Sequence, residues 1–201
     1  MADPIPRNVN ELIQQGFIYL DPESMEPYSG EVLELHTGDP PRVSLRFTVK
    51  DGVKNGPYEK YRSDGVLLEK GNRRYSIDNA PTGWFETYGD YGQLESKGTY
   101  KDGERHGLFE RYYVDGQLQD KMTYKDGQDD GPYEGYYENG QLSDKGSYKD
   151  GQADGSYERY DENGQLLEKG TFRDSKKCGE WIEKGETVTY DPCPPGLEDG
   201  N

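Results

Sequence analysis

Tyr61, Tyr88, Tyr112, Tyr136 and Tyr160 recur at intervals of 24 residues, once 27, and each stands two residues after a glutamate. Those glutamates are Glu59, Glu86, Glu110, Glu134 and Glu158; eleven residues after each comes a lysine, Lys70, Lys97, Lys121, Lys145 and Lys169. Residues two apart on a strand share a face, so phenol and carboxylate are expected side by side. This set matches no nucleophile motif. Its chemistry is binding: rings offer amphipathic contact area and the flanking charges offer polar contacts to an extended peptide, protein or glycan. The alternative is that the rings only pack along a sheet, as strand aromatics commonly do.

Other reactive groups are sparse. His36 and His106 lie in different parts of the pattern, outside any nucleophile or metal motif. Paired carboxylates sit at turns, where little desolvates them enough to tune a pKa. The loops Asp126-Gly-Gln-Asp129-Asp130-Gly131 and Asp150-Gly-Gln-Ala-Asp154-Gly155 are carboxylate-rich, but a calcium loop needs more oxygen ligands and a bidentate glutamate at fixed spacing. We read them as solvated turns. No catalytic residue, metal site or cofactor is expected. The two cysteines have no CxxC spacing. A hairpin turning at Lys184-Gly185 would bring Cys178 near Asp191 and put Cys193 within reach, closing a loop of 15 residues. A disulfide there would contribute about 3 kcal/mol; two free thiols are the alternative. With the bond, the protein is expected to be exported (periplasmic, cell-surface or secreted), its signal removed or replaced by Met1-Ala2; without it, cytoplasmic.

The elements that must position these groups are repeats. Glycines 83, 107, 131, 155 and 179 are 24 residues apart. An earlier copy opens at Gly56 with a three-residue insertion near Asn72–Asn79, and a degenerate one opens at Gly30. A fixed period of this size marks a repeat architecture. With the opening glycine as position 0, positions 8 and 9 are Asp115-Gly116, Asn139-Gly140 and Asn163-Gly164 in three copies. Such a pair between strand-like runs predicts a two-residue hairpin turn with both residues at positive φ. Cross-strand partners then sum to 17. Position 3 glutamate faces position 14 lysine in five of five copies, which specifies the register. Position 2 aromatics (Tyr58, Phe85, Phe109, Tyr133, Tyr157) face Gly71, Gly98, Met122, Gly146 and Gly170, rings laid over the bare backbone of glycine with Met122 the single departure. Alternation predicts a packed face carrying these aromatics, the position 11 leucines (Leu67, Leu94, Leu118, Leu142, Leu166) and the position 17 aromatics (Tyr100, Tyr124, Tyr148, Phe172). The ion pairs and the tyrosine stripe take the other face, unless a bulge inverts part of the pattern. Lys-Asp-Gly at 101–103, 125–127 and 149–151 turns the chain into the next copy.

The predicted fold is therefore all-β: an elongated antiparallel meander of tandem 24-residue hairpins in a single twisted sheet. Its segments are 1–28, with a short helix capped by Asn8 and ended at Gly16, then a strand and a turn at Asp21-Pro22; 29–55, a degenerate capping repeat; 56–178, five repeats; and 179–201, a half-repeat cap and tail. The chain is 30% hydrophobic and 32% charged, too poor in aliphatics to fill one large core, whereas a quasi-one-dimensional array needs less. Net charge −16 argues against nucleic acid and anionic membranes. No apolar run is long enough to span a bilayer, and MADPIPRNVNELIQQ lacks the basic and apolar regions of a signal peptide.

The run YYENGQLSDKGSYKDGQADG resembles the MORN-variant repeat, over roughly residues 52–180. The resemblance implies an elongated hairpin array used for interaction and without enzymatic role; similar bacterial chains carry the label of antitoxin component. The strong acidity departs from MORN proteins that contact phosphoinositides. The expected function is a non-enzymatic scaffold for a protein partner. A structural protein that self-associates through sheet edges and a carbohydrate or cell-wall binding module are the alternatives.

Overall fold

The computed structural model describes residues 6–75 and 80–194. Part of the expected insertion, residues 76–79, and Met1-Ala2 lie outside the described residues. The chain forms two compact units, 1–104 and 105–201, and each is an antiparallel β-meander. In the first, strands Gly30–His36, Arg42–Lys50, Val53–Tyr61, Leu67–Tyr75, Pro81–Tyr88 and Leu94–Lys101 pair in sequence order. In the second, Gly107–Tyr112, Leu118–Lys125, Gln128–Tyr136, Leu142–Lys149, Gly155–Tyr160, Leu166–Arg173, Lys176–Glu183 and Glu186–Thr189 do the same.

The N-terminal segment packs onto the first unit as a lid. Arg7–Asn8 adds a parallel strand beside Val32 and Leu33. Tyr19, Val32, Phe47 and Val49 are buried together, with Val9, Leu12, Tyr28, Leu45 and Tyr58 against them. The expected helix is a single 3-10 turn, Val9–Glu11, whose first turn Asn8 caps by accepting from the Asn10 amide at 2.9 Å. Gly16 ends no helix. At φ 62° it turns the hairpin that pairs Ile13–Gln15 with Ile18–Leu20, because a three-residue turn leaves no helical ladder to terminate.

The two turns of each repeat differ from expectation in a way that matters for the faces. At the Asp/Asn-Gly positions only Gly116, Gly140 and Gly164 have positive φ. The Gly116 amide donates to the Tyr113 carbonyl at 2.9 Å and the Tyr113 amide to the Gln117 carbonyl at 2.8 Å. This is a three-residue loop, a type I turn closed by a left-handed glycine. Asp115 and Asn139 keep right-handed backbone and accept from the amides two residues on, at 3.0 and 2.9 Å, a local bond that makes positive φ unnecessary there. The two-residue turns with both residues left-handed lie at the joint between repeats, at Asp102-Gly103, Asp126-Gly127 and Asp150-Gly151, and within the last half-repeat, at Lys184-Gly185.

The longer loop would shift the register by one. A bulge in the second strand restores it: Tyr112 faces Leu118, while Arg111 faces Asp120, leaving Gln119 as the extra residue. The same shift occurs at Tyr61, Tyr88, Tyr136 and Tyr160. Below the bulge, partners sum to 17 as expected. Above it they do not, and this corrects the placement of the leucines. Leu67, Leu94, Leu118, Leu142 and Leu166 stand opposite Tyr61, Tyr88, Tyr112, Tyr136 and Tyr160. They belong to the tyrosine face, because one inserted residue inverts a two-residue alternation.

The remaining face is tiled by aromatic pairs. Phe85 meets Tyr100 at 5.1 Å, Phe109 meets Tyr124 at 5.1 Å, Tyr133 meets Tyr148 at 6.2 Å and Tyr157 meets Phe172 at 5.4 Å between centroids. Each pair is worth about 0.5–1.5 kcal/mol beyond the area it buries.

Candidate interaction face

The glutamate–lysine register holds in every copy: Glu59 faces Lys70, Glu86 faces Lys97, Glu110 faces Lys121, Glu134 faces Lys145 and Glu158 faces Lys169. Three of the lysines also face the glutamate of the following strand, Lys70 with Glu86, Lys121 with Glu134 and Lys145 with Glu158, whereas Lys169 faces Ile182. Those lateral contacts are short, at 3.0, 2.8 and 2.8 Å. Lys169 lies 3.0 Å from Glu158 of its own hairpin. The ion pairs are therefore one alternating ladder within each unit, tying repeat to repeat as well as strand to strand. In the first unit Arg46 extends it, 3.5 Å from Glu31 and 3.8 Å from Glu59.

The tyrosine stripe is wired into the ladder. The hydroxyls of Tyr61 and Tyr112 donate to Glu59 and Glu110 at 2.6 and 3.2 Å, and those of Tyr88, Tyr136 and Tyr160 donate to Glu86, Glu134 and Glu158. All five rings are half-buried. Their hydroxyls are thus occupied; what they offer outward is ring edge and face.

These contacts shift the titrations. The Lys145 ammonium, then the Tyr160 hydroxyl, bring the Glu158 carboxyl down to about 2. Glu134 is lowered by Lys121 and then Tyr136, and Glu86 by Tyr88 and then Lys70. Lys121 and Lys145 are raised by Glu134 and Glu158. An unfolded glutamate takes up its proton near pH 4.3, so below that the unfolded chain binds more protons than the native one and stability falls. We expect the urea midpoint to hold from pH 8 to about 5 and to drop as pH falls from about 4.5 towards 2. Glu158 would account for on the order of 1 kcal/mol after solvent screening. Glu158→Gln should flatten that decline; an unchanged slope would show that the ladder contributes nothing to it.

Three features of the repeat escaped the sequence reading. Position 4 pairs with position 13 on the aromatic face: Lys60 with Glu69, Arg111 with Asp120 and Arg159 with Glu168. Asp120 is buried and held by Arg111 Nε at 2.8 and 3.0 Å and by Nη2 at 2.8 Å. The sum-to-17 rule names these partners and would have found them. Next, the Tyr113 and Tyr137 hydroxyls donate to the carbonyls of Tyr136 and Tyr160, both at 2.7 Å, stitching each hairpin loop to the following repeat. His36 contacts the Tyr61 carbonyl at 3.0 Å in the same way. Finally, cations stand over several aromatic pairs, and only one repeat position carries a recurring signal for them. Cys178 and Cys193 are joined, with Cα atoms 4.9 Å apart.

Residues 105–126, 129–150 and 153–174 match the family described as MORN repeat variant. Each matched window opens two residues before a repeat glycine (Gly107, Gly131, Gly155) and closes in the Asp of a left-handed turn. No curated protein gives a significant match.

Proposed function

We propose that this array of MORN-variant repeats is a non-enzymatic scaffold that engages a protein partner through the tyrosine and charge-ladder face. Its character as a repeat scaffold follows from the family match. The choice of face rests on where the exposed large apolar side chains fall. Leu108, Leu166 and Ile182 are 50, 37 and 37% exposed. Leu108 shares its strand parity with Glu110, Leu166 faces Tyr160, and Ile182 faces Lys169. In the first unit, Trp84 is 44% exposed and shares its face with Glu86. Apolar groups set among tyrosines and paired charges give an interface its desolvated centre and polar rim. The disulfide supports export, since such bonds persist in oxidising compartments.

The test is cross-linked capture from extracts of the native host with the wild-type chain and with Leu108→Ser, Leu166→Ser and Ile182→Ser combined. Because these side chains are exposed, the triple variant should melt within a few degrees of wild type. It should lose at least tenfold of a specifically captured protein, while Val114→Ser, at an exposed hairpin loop, retains it. Equal capture by all three chains would move the interface elsewhere. The captured protein's identity decides whether the antitoxin label of similar chains extends to this one. Light scattering across a concentration series, or capture of glycan alone, would favour the self-assembling or carbohydrate-binding alternative.

A further inference from the structure

On the aromatic face, the chain supplies its own cations to most ring pairs. Lys54 Nζ lies 4.3 Å from the Phe47 centroid and 5.9 Å from Tyr19. Arg73 lies 4.7 Å over Tyr58 and 5.5 Å over Tyr100. Arg105 lies 5.1 Å over Phe109 and 5.3 Å over Tyr124, and Lys177 lies 4.3 Å over Trp181. Lys54, Arg105 and Lys177 occupy one repeat position, two residues before Gly56, Gly107 and Gly179. Before Gly131 and Gly155 that position holds Asp129 and Ala153. Among the described residues, no lysine or arginine lies over Tyr133, Tyr148, Tyr157 or Phe172.

A groove of about 250 Å³ opens at this place, lined by those four rings together with Gly146, Ala153 and Glu168. Beside it, Gly135 faces Asp144 within the hairpin where Arg111 and Arg159 face Asp120 and Glu168 in the adjoining repeats; the cation opposite Asp144 on the next strand, Arg159, is turned to Glu168 at 3.4 Å. Asp144 accepts from the Ser143 hydroxyl at 2.6 Å, and among the described residues it has no ion-pair partner within 4.0 Å. The surroundings are negative: after burial itself, Asp129 and Asp144 push the Tyr148 phenol up. Aromatic rings with Asp129 and Asp144 nearby are surroundings that attract a cation, and guanidinium in particular stacks on tyrosine.

We propose that this groove receives an arginine or lysine side chain from a basic segment of a partner polypeptide, in the place that Arg105 and Lys177 fill within the chain. The groove lies on the face opposite the tyrosine stripe, so it is a second contact site. Its occupant follows from charge complementarity, with a net charge of −16 on the protein and Asp129 and Ala153 standing at the position where Lys54, Arg105 and Lys177 supply a cation in other copies.

The full chain would be titrated with the peptide acetyl-Gly-Arg-Gly-amide and with its neutral citrulline counterpart, following tyrosine ring signals by NMR. The arginine peptide should shift the signals of Tyr133, Tyr148 and Tyr157, and the citrulline peptide should bind about tenfold more weakly, the loss expected for one partly desolvated cation–π contact. Ala153→Arg copies the arrangement at Arg105 and should abolish binding with the fold intact; Tyr148→Leu, which keeps an apolar side chain, should weaken it severalfold. Arg105→Ala should add a second site. Equal binding of the neutral peptide, unchanged binding to Ala153→Arg and Tyr148→Leu, or no shift with the arginine peptide would each overturn the proposal. Because none of these variants touches Leu108, Leu166 or Ile182, failure here leaves the reading of the other face standing.

Discussion

Trp181→Ala should lower stability by about 3–5 kcal/mol, the range for emptying a large aromatic site, and should open the C-terminal repeats first. Trp181 is 1% exposed. It holds the position 2 slot of the last half-repeat, where other copies carry tyrosine or phenylalanine. Its ring stands 4.9 Å from Phe172 and 6.2 Å from both Tyr157 and Tyr190, so it closes the aromatic row of the described repeats. Its Nε1–H donates to the Thr171 and Cys178 carbonyls at 3.2 and 3.1 Å. The indole lies on Gly170 so closely that a Cβ there would come within 2.1 Å of the ring. Gly170→Ala should therefore also destabilise, by crowding where Trp181→Ala destabilises by vacating. Urea denaturation gives both magnitudes. Hydrogen exchange should show protection lost first in Leu166–Arg173 and Lys176–Glu183 for Trp181→Ala; uniform loss along the second unit would show that the indole does not act as a local cap.

Removing the disulfide should cost about 3 kcal/mol. The bond joins residues 15 apart, and closing a loop of that size restricts the unfolded chain by that amount. In the native state it fastens the strand Glu186–Thr189, which pairs with Lys176–Glu183. The Gly179 amide donates to the Asp191 carbonyl and the Tyr190 amide to Gly179, both at 2.9 Å, which keeps the two cysteines in register. Cys178→Ser with Cys193→Ser, or the reduced wild type, is expected to melt about 6–12 °C lower, given a shift of about 2–4 °C per kcal/mol for a chain of this length. A shift under 2 °C would mean that strand pairing alone holds the end. Because Cys178 is buried, the reduced wild type and the serine pair should be compared; the hydroxyl adds a polar group to that site.

How much was legible follows from particular residues. The 24-residue period made the hairpin array readable, and the Glu–Lys pattern gave the register below the bulge, since a mispaired ladder would set like charges opposite one another. Cys178 and Cys193 were readable as a pair because the Lys184-Gly185 turn sets the distance between them. The turn at Asp115-Gly116 was read as two residues because an Asx-Gly pair suits either turn; the loop closes with one more residue when the Asp or Asn side chain caps it locally. The leucine placement failed with it.

The candidate face was legible as a set of residues and illegible as a set of contacts. Sequence placed Tyr136 and Glu134 on one face by alternation; only the folded sheet decided that the tyrosine hydroxyl is spent on that glutamate, and that Lys145 reaches sideways to Glu158. Lateral pairing depends on how one hairpin docks on the next, which spacing within a single hairpin does not encode. The same holds for the groove among Tyr133, Tyr148, Tyr157 and Phe172. The substitution of Asp129 and Ala153 for a cation is written in the sequence, but its meaning depends on Arg105 and Lys177 lying over rings in three dimensions. Period and strand register are local properties, repeated often enough for the sequence alone to determine them. Face assignment, lateral pairing and the groove are set between repeats, where a single bulged residue or a single missing cation changes the surface, and the tertiary structure alone decided them.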